Sequence, residues 1–228
     1  MARGVFADRL PLAQAYAALL TDAGVVRGLI GPREVPRLWE RHLLNCAVVS
    51  EEIGEDADVC DLGSGAGLPG LVLAIRRPDL RVTLVEPLLR RATFLTEAAD
   101  GLGLDNVTVL RSRAEELVGR LQFSVVTSRA LAPLPRLLDW SLPLVRTGGV
   151  MLALKGRSAA EEVAGAAVPL RRWGVVAEVR EVGRDSLDPP STVVRVAAST
   201  ASELHWRHSS RVEVRPSARR RRGKGRRT

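Results

Sequence analysis

The chain of 228 residues has little of several residue types on which specialised proteins depend. Its two cysteines, Cys46 and Cys60, are spaced neither as zinc ligands nor as a redox pair, so we expect both to be reduced and structural, with no metal site. No run approaches the roughly 20 apolar residues of a membrane span, and the first residues lack the apolar core of a signal peptide. These absences argue against disulfide-rich, zinc-binding and membrane-spanning proteins and predict a cytoplasmic one.

Aromatic residues are also scarce, at 4% of the chain, with one tyrosine and four tryptophans. Proteins that hold single-stranded nucleic acid by stacking use exposed aromatic side chains. With so few, we expect the tryptophans to anchor the core instead. Hydrophobic residues make up 46% of the chain, and a chain of this length can bury a sizeable core. One main globular domain is therefore predicted.

The net charge of +8 comes entirely from the C-terminal end. Residues 211–228 contain eight arginines, one lysine and one glutamate, so residues 1–210 carry no net charge. Such a tail is attracted to a polyanion, and the attraction weakens as salt rises. A solvated, disordered end is the alternative. We predict that the tail adds affinity for such a polyanion at most.

The apolar pattern divides the chain into a helical beginning and an α/β remainder. Amphipathic helices are predicted over residues 9–23, with Gly24 as the C-cap, and over residues 34–53. From residue 58 onward strands and helices alternate, which indicates a parallel sheet with helices on both faces. We predict a small N-terminal helical cap over residues 1–55, a core over 56–198 and a disordered basic tail over 199–228.

Seven strands are predicted in an α/β, mostly parallel sheet. The last two form a closing antiparallel pair. The helices between strands are expected to begin near Gly67 and to cover residues 88–101, 133–145 and 159–171. The predicted strands cover residues 58–62, 81–85, 107–110, 123–129, 150–154, 173–182 and 191–197.

The glycine-rich segment over residues 58–70 organises the rest of the chain. Its pattern G-x-G-x-x-G over residues 65–70 matches a dinucleotide fingerprint, with Glu86 about 20 residues later as a ribose-binding acid. The same segment contains D-x-G-x-G-x-G over residues 61–67, with Asp61 just before the first glycine. That carboxylate would repel a pyrophosphate and attract the ammonium of S-adenosylmethionine. The segment therefore favours a methyl donor.

Two other functions stay open on these patterns. The fingerprint also suits a nicotinamide-dependent oxidoreductase, although the sole tyrosine, Tyr16, is not part of a Tyr-x-x-x-Lys pair. The basic tail alone would suit a non-catalytic RNA-binding protein. Cofactor titration separates the first from a methyltransferase, and deletion of residues 211–228 tests the second.

Polar side chains follow several predicted strands at the sheet edge where ligands of such folds bind. Glu86 could accept both ribose hydroxyls of an adenosyl group, and Glu115 could accept from the adenine amino group. The ordinary alternatives are a solvated or helix-capping carboxylate for each acid, a salt bridge for Lys155 and a hydrogen-bonded core residue for His42. The polar strand ends are Asp61, Glu86, 112–115, 128–129 and Lys155.

Several motifs of the chain resemble the ribosomal RNA small subunit methyltransferase G family, also called glucose-inhibited division protein B. The likeness runs from about residue 41 to residue 197. Its marks are R-H-L-L at 41–44, D-L-G-S-G-A-G-L-P-G at 61–70, R-R-A-T-F-L at 90–95, S-R-A at 128–130 and L-K-G at 154–156.

The resemblance implies a class I, Rossmann-like enzyme that uses S-adenosylmethionine to methylate N7 of one guanine in the decoding-region loop of 16S ribosomal RNA. Its partner would be the RNA or the small ribosomal subunit, and its loss would alter streptomycin sensitivity. Separately from the resemblance, we predict a monomer. Substrate contacts are predicted at Arg41, His42 and Lys155. The predicted cofactor contacts, partly from the resemblance, are Asp61, Gly63, Gly65, Gly67, Leu68, Glu86, Ala114, Glu115 and Arg129.

Methylation of guanine N7 does not require a general base from the protein. N7 carries an in-plane lone pair and needs no deprotonation. Alignment of that lone pair with the methyl group should supply most of the acceleration, so no catalytic base or nucleophile is predicted. Residues 128–131 read S-R-A-L and lack the Asn-Pro-Pro-aromatic signature of amino-group methyltransferases. Arg129 and Lys155 are expected to contact RNA phosphate, guanine O6 or the cofactor carboxylate.

Overall fold

A computed structural model of the chain describes residues 1–198 and contains one seven-stranded sheet. The strand order is β3-β2-β1-β4-β5-β7-β6. The first five strands are parallel, and β7 runs antiparallel to both β5 and β6. This confirms the predicted α/β fold. The strands are β1 (Asp58–Leu62), β2 (Arg81–Val85), β3 (Val107–Leu110), β4 (Phe123–Arg129), β5 (Val145–Lys155), β6 (Ala177–Val182) and β7 (Ser191–Ala197).

Helices and single helical turns cover both faces of the sheet. The α-helices are α1 (Ala2–Phe6), α2 (Leu10–Leu19), α3 (Asn45–Ala47), α4 (Gly70–Arg76), α5 (Leu89–Gly101), α6 (Ala114–Leu117), α7 (Leu134–Ser141), α8 (Ala159–Gly165) and α9 (Ala167–Trp173). Between residues 1 and 198, no helix is long and apolar enough to cross a membrane.

Two hydrophobic clusters fill the space between the helices and the sheet. Side chains alternate along a strand, so Val59 of β1 packs in one cluster while Cys60 and Leu62 pack in the other. The first cluster contains residues of α2, α4 and α5, and the second contains residues of α7 and α9. Residues from Val5 to Ile53 belong to the first cluster, so the N-terminal helical segment shares its core with the sheet.

The N-terminal segment is helical but less regular than the sequence predicts. Instead of one helix over residues 34–53, it contains 3-10 turns at Pro32–Arg37 and Val48–Glu52, a π-helix at Leu38–Leu44 and the short α3. Pro36 lies inside the first of these and has no N–H to donate. The predicted C-cap at Gly24 is wrong. Gly24 lies in the π turn Leu20–Gly24, and the left-handed glycine is Gly28, with φ of 66°.

Three other predicted boundaries are wrong by several residues. Helix α4 begins at Gly70 and not near Gly67, because the glycines before it have positive φ values that end any helical run. Strand β5 begins at Val145 and includes Gly149, where a Cβ would lie 2.5 Å from the backbone oxygen of Ser124. The helix predicted over 159–171 is two helices, and Trp173 ends the second instead of opening a strand.

Candidate functional site

The carboxyl ends of β1, β2 and β4 bring three of the predicted polar residues together on one face of the sheet. Asp61 and Thr127 are paired in register on neighbouring strands, so their side chains point to the same face. Arg129 lies two residues further along β4 and therefore shares that face. Glu86 follows the last residue of β2. The prediction that these strand ends converge is confirmed for Asp61, Glu86 and Arg129.

The glycines of the turn that follows β1 allow close packing of protein neighbours as well as access for a ligand. Gly63, Gly65 and Gly67 have φ values of 69°, 57° and 92°, which L side chains rarely adopt. A Cβ at Gly63 would overlap the end of the Leu131 side chain, and one at Gly67 would lie 2.9 Å from the Tyr16 hydroxyl. A Cβ at Gly65 would meet only a backbone oxygen at 3.7 Å. Of these three, Gly65 alone borders open space.

Gly70 is required for a further packing reason. A Cβ there would overlap the Leu84 side chain and would lie 2.7 Å from Oδ2 of Asp61. The sequence patterns assign these glycines to close approach of a ligand. In the structure, Gly63, Gly67 and Gly70 are instead needed by protein neighbours. Leu131 beside Gly63 and Tyr16 beside Gly67 are distant in the sequence and leave no local signal.

Glu86 joins the glycine-rich turn to the loop that precedes α5. One carboxylate oxygen accepts a hydrogen bond from the Gly65 N–H at 3.0 Å, and the other accepts from the Leu88 N–H at 3.0 Å. The residue is 2% exposed. Each oxygen keeps a second lone pair, so the carboxylate can accept from a ligand while it holds both loops.

Asp61 is completely buried and only half satisfied. Its Oδ2 accepts a hydrogen bond from the Gly70 N–H at 3.0 Å, at the start of α4, while Oδ1 has no partner among the described residues. Burial, the largest cause, raises the pKa of Asp61 to about 7, and the bond from Gly70 opposes that rise. The Ser64 hydroxyl and the charge of Arg129 oppose it as well. A buried carboxylate oxygen without a donor is costly, which marks this position for a positive or donating group.

Tyr16 braces the turn from the N-terminal segment, and sequence reasoning missed this role. Its hydroxyl donates to the backbone oxygen of Ala66 at 2.6 Å, across 50 residues of sequence. The side chain is fully buried, and burial raises its pKa well above the ordinary value. Nothing in the sequence near Tyr16 resembles a site motif. Only its being the sole tyrosine sets it apart.

Arg129 lies under the same N-terminal segment. One guanidinium nitrogen donates to the Cys46 sulfur at 3.4 Å, and another contacts Nδ1 of His42. The other ring nitrogen of His42 lies 2.9 Å from Oε2 of Glu34. His42 is 8% exposed, and the ordinary alternative for it, a hydrogen-bonded buried residue, is what the structure contains. Ala130, directly after Arg129, has a φ of 50°, a strained value for a residue with a Cβ.

The remaining predicted site residues lie further out. Lys155 bonds to Oε2 of Glu162 at 2.7 Å and to the backbone oxygen of Ala132, so the salt-bridge alternative for it is confirmed. Ala114 begins α6, and Glu115 beside it is exposed and has no hydrogen bond or ion pair within residues 1–198. The capping acid of this helix is the next residue, Glu116, which accepts from the Arg113 N–H.

The side chains at this site can bind and orient a ligand, and the cysteines near it do not supply a nucleophile. Both cysteines are buried, and burial raises the pKa of Cys46 and, more strongly, that of Cys60, so neither is a thiolate nucleophile at neutral pH. Residues 1–198 contain no group of acidic, histidine and cysteine side chains arranged to hold a metal ion. The predicted tail over residues 199–228 lies outside the described residues.

The site fits S-adenosylmethionine better than a dinucleotide on three observations. The orphaned Oδ1 of Asp61 suits a positively charged donor. Gly65 borders open space beside a carboxylate, Glu86, that can accept from hydroxyl groups. Leu88, in the loop between Glu86 and α5, is 54% exposed and offers an apolar surface for a base. A pyrophosphate at the same turn would lie against two buried carboxylates.

Comparisons with known proteins agree on one family. The model of the family described as rRNA small subunit methyltransferase G matches residues 9–177. A protein of Thermobifida fusca named ribosomal RNA small subunit methyltransferase G is 57% identical over 227 residues, which cover 99% of this chain and 96% of that protein. Its namesake from Streptomyces avermitilis is 61% identical, with 86% and 83% of the two chains covered.

Solved structures share the fold at low identity. An S-adenosylmethionine-dependent methyltransferase from Aquifex aeolicus has a TM-score of 0.52 and 20% identity, covering 73% of this chain and 98% of that one. An O-methyltransferase from Thermotoga maritima has a TM-score of 0.53 and 14% identity, covering 73% and 70%. Both resemble this chain in the arrangement of sheet and helices.

Proposed function

Because this chain belongs to the rRNA small subunit methyltransferase G family, we propose that it transfers the methyl group of S-adenosylmethionine to N7 of one guanine in the decoding-region loop of 16S ribosomal RNA. The broader function, an S-adenosylmethionine-dependent ribosomal RNA methyltransferase with a class I fold, follows from the family. The proposal adds the acceptor atom and the roles of individual residues. We also propose that the protein acts as a cytoplasmic monomer.

The cofactor would be held by the carboxyl ends of β1 and β2. Glu86, already tied to the Gly65 N–H, would accept from the ribose hydroxyls with its remaining lone pairs. The exposed Leu88 would pack against the adenine, and Glu115 would accept from its amino group. Asp61 would balance the positive end of the cofactor, which carries the transferable methyl group on a sulfonium. Gly63, Gly67, Leu68 and Ala114 would shape the walls of this pocket.

The single observation that carries the cofactor assignment is the unpartnered Oδ1 of Asp61. It is fully buried, so it gains nothing from solvent, and Oδ2 is already bound to the Gly70 N–H. An ammonium group that reached it would pair a buried charge and satisfy its missing hydrogen bond at once. A phosphate-bearing coenzyme would add negative charge at the same place.

The protein's part in the reaction would be alignment and exclusion of water. Guanine N7 attacks with its own lone pair, so no side chain has to remove a proton. The methylated base becomes cationic, and a nearby positive side chain would therefore not stabilise the ring. Arg129 is better suited to O6 of guanine, an RNA phosphate or the cofactor carboxylate. Orientation of the base against the methyl group would lower the barrier.

Cationic side chains near the carboxyl ends of the strands would contribute to RNA binding. Arg41 has a side chain that is 57% exposed, and among the residues that the structure describes it pairs only with Glu34, at 3.6 Å, so its guanidinium can turn to a phosphate. Lys155 would have to exchange Glu162 for phosphate, because its side chain is 9% exposed and its ammonium is already paired. The basic tail would add affinity that falls with salt.

Two measurements test the proposal. Small ribosomal subunits that lack the modification are incubated with labelled S-adenosylmethionine, and the modified position is found by N7-specific cleavage and reverse transcription. We expect one labelled guanine in the decoding-region loop, and incorporation at another atom or at no nucleotide by folded protein would reject the acceptor. Titration of S-adenosylmethionine and of NAD against tryptophan fluorescence tests the cofactor separately, and tight NAD binding alone would reject it.

A further inference from the structure

We propose that Glu34 and His42 are positioning residues that hold the Arg129 guanidinium at the cofactor site, an inference that rests on the proposed function. The three side chains form a continuous chain of contacts. Oε2 of Glu34 lies 2.9 Å from Nε2 of His42, and Nδ1 of His42 contacts a terminal nitrogen of Arg129. The contacts run from the N-terminal segment to the last residue of β4.

The hydrogen-bond chemistry of the chain allows one arrangement. Arg129 can only donate, and the carboxylate of Glu34 can only accept. His42 must therefore accept at Nδ1 and donate at Nε2, which is the neutral Nε2–H form of the ring. A charged ring would present an N–H to the guanidinium and break the contact. Glu34 thus selects the form of His42 that can hold Arg129.

The charges around His42 favour this neutral form. Burial, the largest cause, and the charge of Arg129 lower its pKa, and Arg41 lowers it further. The hydrogen bond from Glu34 and its charge act in the opposite direction. The ring also has no nitrogen left for RNA, because each nitrogen already faces a protein partner. This replaces the predicted substrate contact of His42 with a role that acts through Arg129.

The position of Arg129 makes its orientation matter for the turn. Another guanidinium nitrogen donates to the Cys46 sulfur at 3.4 Å, so residues of one segment hold the group at two points. Ala130, the next residue, has a φ of 50°, and the following Leu131 lies against Gly63. The side chain of Arg129 is thus anchored where the loop leaves β4 to cover the glycine-rich turn.

Two variants of His42 separate positioning from simple packing. In His42→Asn the amide oxygen can take the place of Nδ1 and accept from Arg129, while in His42→Gln the amide nitrogen takes the place of Nε2 and keeps only Glu34. We expect kcat/KM of the Asn variant to lie within about threefold of the unaltered protein, and that of the Gln variant to fall about tenfold or more, the range for a hydrogen bond to a charged group.

Both variants are measured in the full chain, with thermal unfolding as the test that they fold. Equal losses in the two folded variants, or the reverse order, would overturn the positioning role. Glu34→Ala should lower kcat/KM by a smaller factor than His42→Gln. Its matched control is Glu40→Ala, since Glu40 is an exposed acid of the same segment to which the described residues offer no hydrogen bond or ion pair, and we expect no change there.

A measurement that needs no activity tests the network itself. In ¹⁵N-labelled full-length protein, the ring of His42, assigned by its loss in His42→Gln, should be neutral and protonated at Nε2 at pH 7. Removal of Glu34 should move the Nε2 resonance, because its acceptor is lost, while Nδ1 stays unprotonated opposite Arg129. A charged ring or an Nδ1–H form in the unaltered protein would overturn the proposal. If the enzyme assays fail while this result holds, the proposed function is at fault and not the network.

Discussion

Asp61 and Glu86 end neighbouring parallel strands and are both buried, yet their surroundings differ. Glu86 accepts one backbone N–H with each oxygen and so stabilises two loops. Asp61 lies beneath the N-terminal segment with one oxygen satisfied and the other orphaned. Both oxygens of Glu86 thus have a backbone donor, whereas one oxygen of Asp61 has none among the described residues. A strand-end acid can therefore support the fold, await a positive partner, or do both.

The largest expected effect comes from Glu86→Ala. The change removes two charge-assisted hydrogen bonds to backbone N–H groups and the proposed ribose contact. We expect S-adenosylmethionine affinity to fall about 100-fold and unfolding free energy to fall by about 2 to 3 kcal/mol. Calorimetric titration and urea unfolding measure the two. Asp79→Ala, which removes an acid that accepts from the Asp56 N–H at the opposite end of the sheet, is the control and should leave affinity nearly unchanged. Unchanged stability in Glu86→Ala would contradict the loop-joining role.

The glycines of the two regions should respond differently to a methyl group. Gly70→Ala places a Cβ against Leu84 and Oδ2 of Asp61, so we expect unfolding free energy to fall by about 2 to 3 kcal/mol. In Gly65→Ala the nearest atom to the Cβ is a backbone oxygen at 3.7 Å, so the change costs only the strain of its φ, about 1 kcal/mol. Cofactor affinity should show the opposite order. Gly65→Ala should lower it more than Gly70→Ala, because Gly65 faces the ligand side. Equal losses of unfolding free energy and of cofactor affinity in the two variants would contradict this difference between the two regions.

Asp61→Asn should separate stability from binding. The folded pKa of Asp61 is about 7, against an ordinary value of 3.8. The raised value means that its contribution to stability is full below about pH 4 and is lost as the pH rises towards 7 and beyond. Removal of the charge should therefore raise unfolding free energy by about 2 kcal/mol at pH 8 and by little at pH 4. Urea unfolding at both values measures this.

Cofactor binding should show the opposite effect of the same charge. An ammonium group favours the deprotonated carboxylate, so the affinity of the unaltered protein for S-adenosylmethionine should rise with pH up to about 7 and then level off. In Asp61→Asn the affinity should be lower and lose this pH dependence. A variant that gains stability and keeps full affinity would show that Asp61 serves the fold alone.

The sequence predicted the fold and the strand-end acids because both follow from local patterns. Alternating strands and helices place Asp61 and Glu86 at one edge of a parallel sheet. What could not be predicted depends on contacts across the chain. Tyr16 reaches Ala66 over 50 residues, and His42 reaches Arg129 over 87. No periodicity encodes such pairs. Nor does any local pattern predict that one oxygen of Asp61 is buried without a donor.

Tyr16→Phe, the smallest effect we expect, tests whether the N-terminal segment braces the Asp61 region. The hydroxyl donates to the Ala66 oxygen inside the protein, so its loss leaves a buried carbonyl without that donor. Unfolding free energy should fall by about 1 kcal/mol, and cofactor affinity by about threefold, because the turn is less constrained while the ring still packs. Tyr16→Leu, which also removes packing, should cost more stability. If Tyr16→Phe lowers stability but leaves cofactor affinity intact, the segment stabilises the turn without shaping the site, and the difference between the two acids must arise within the sheet.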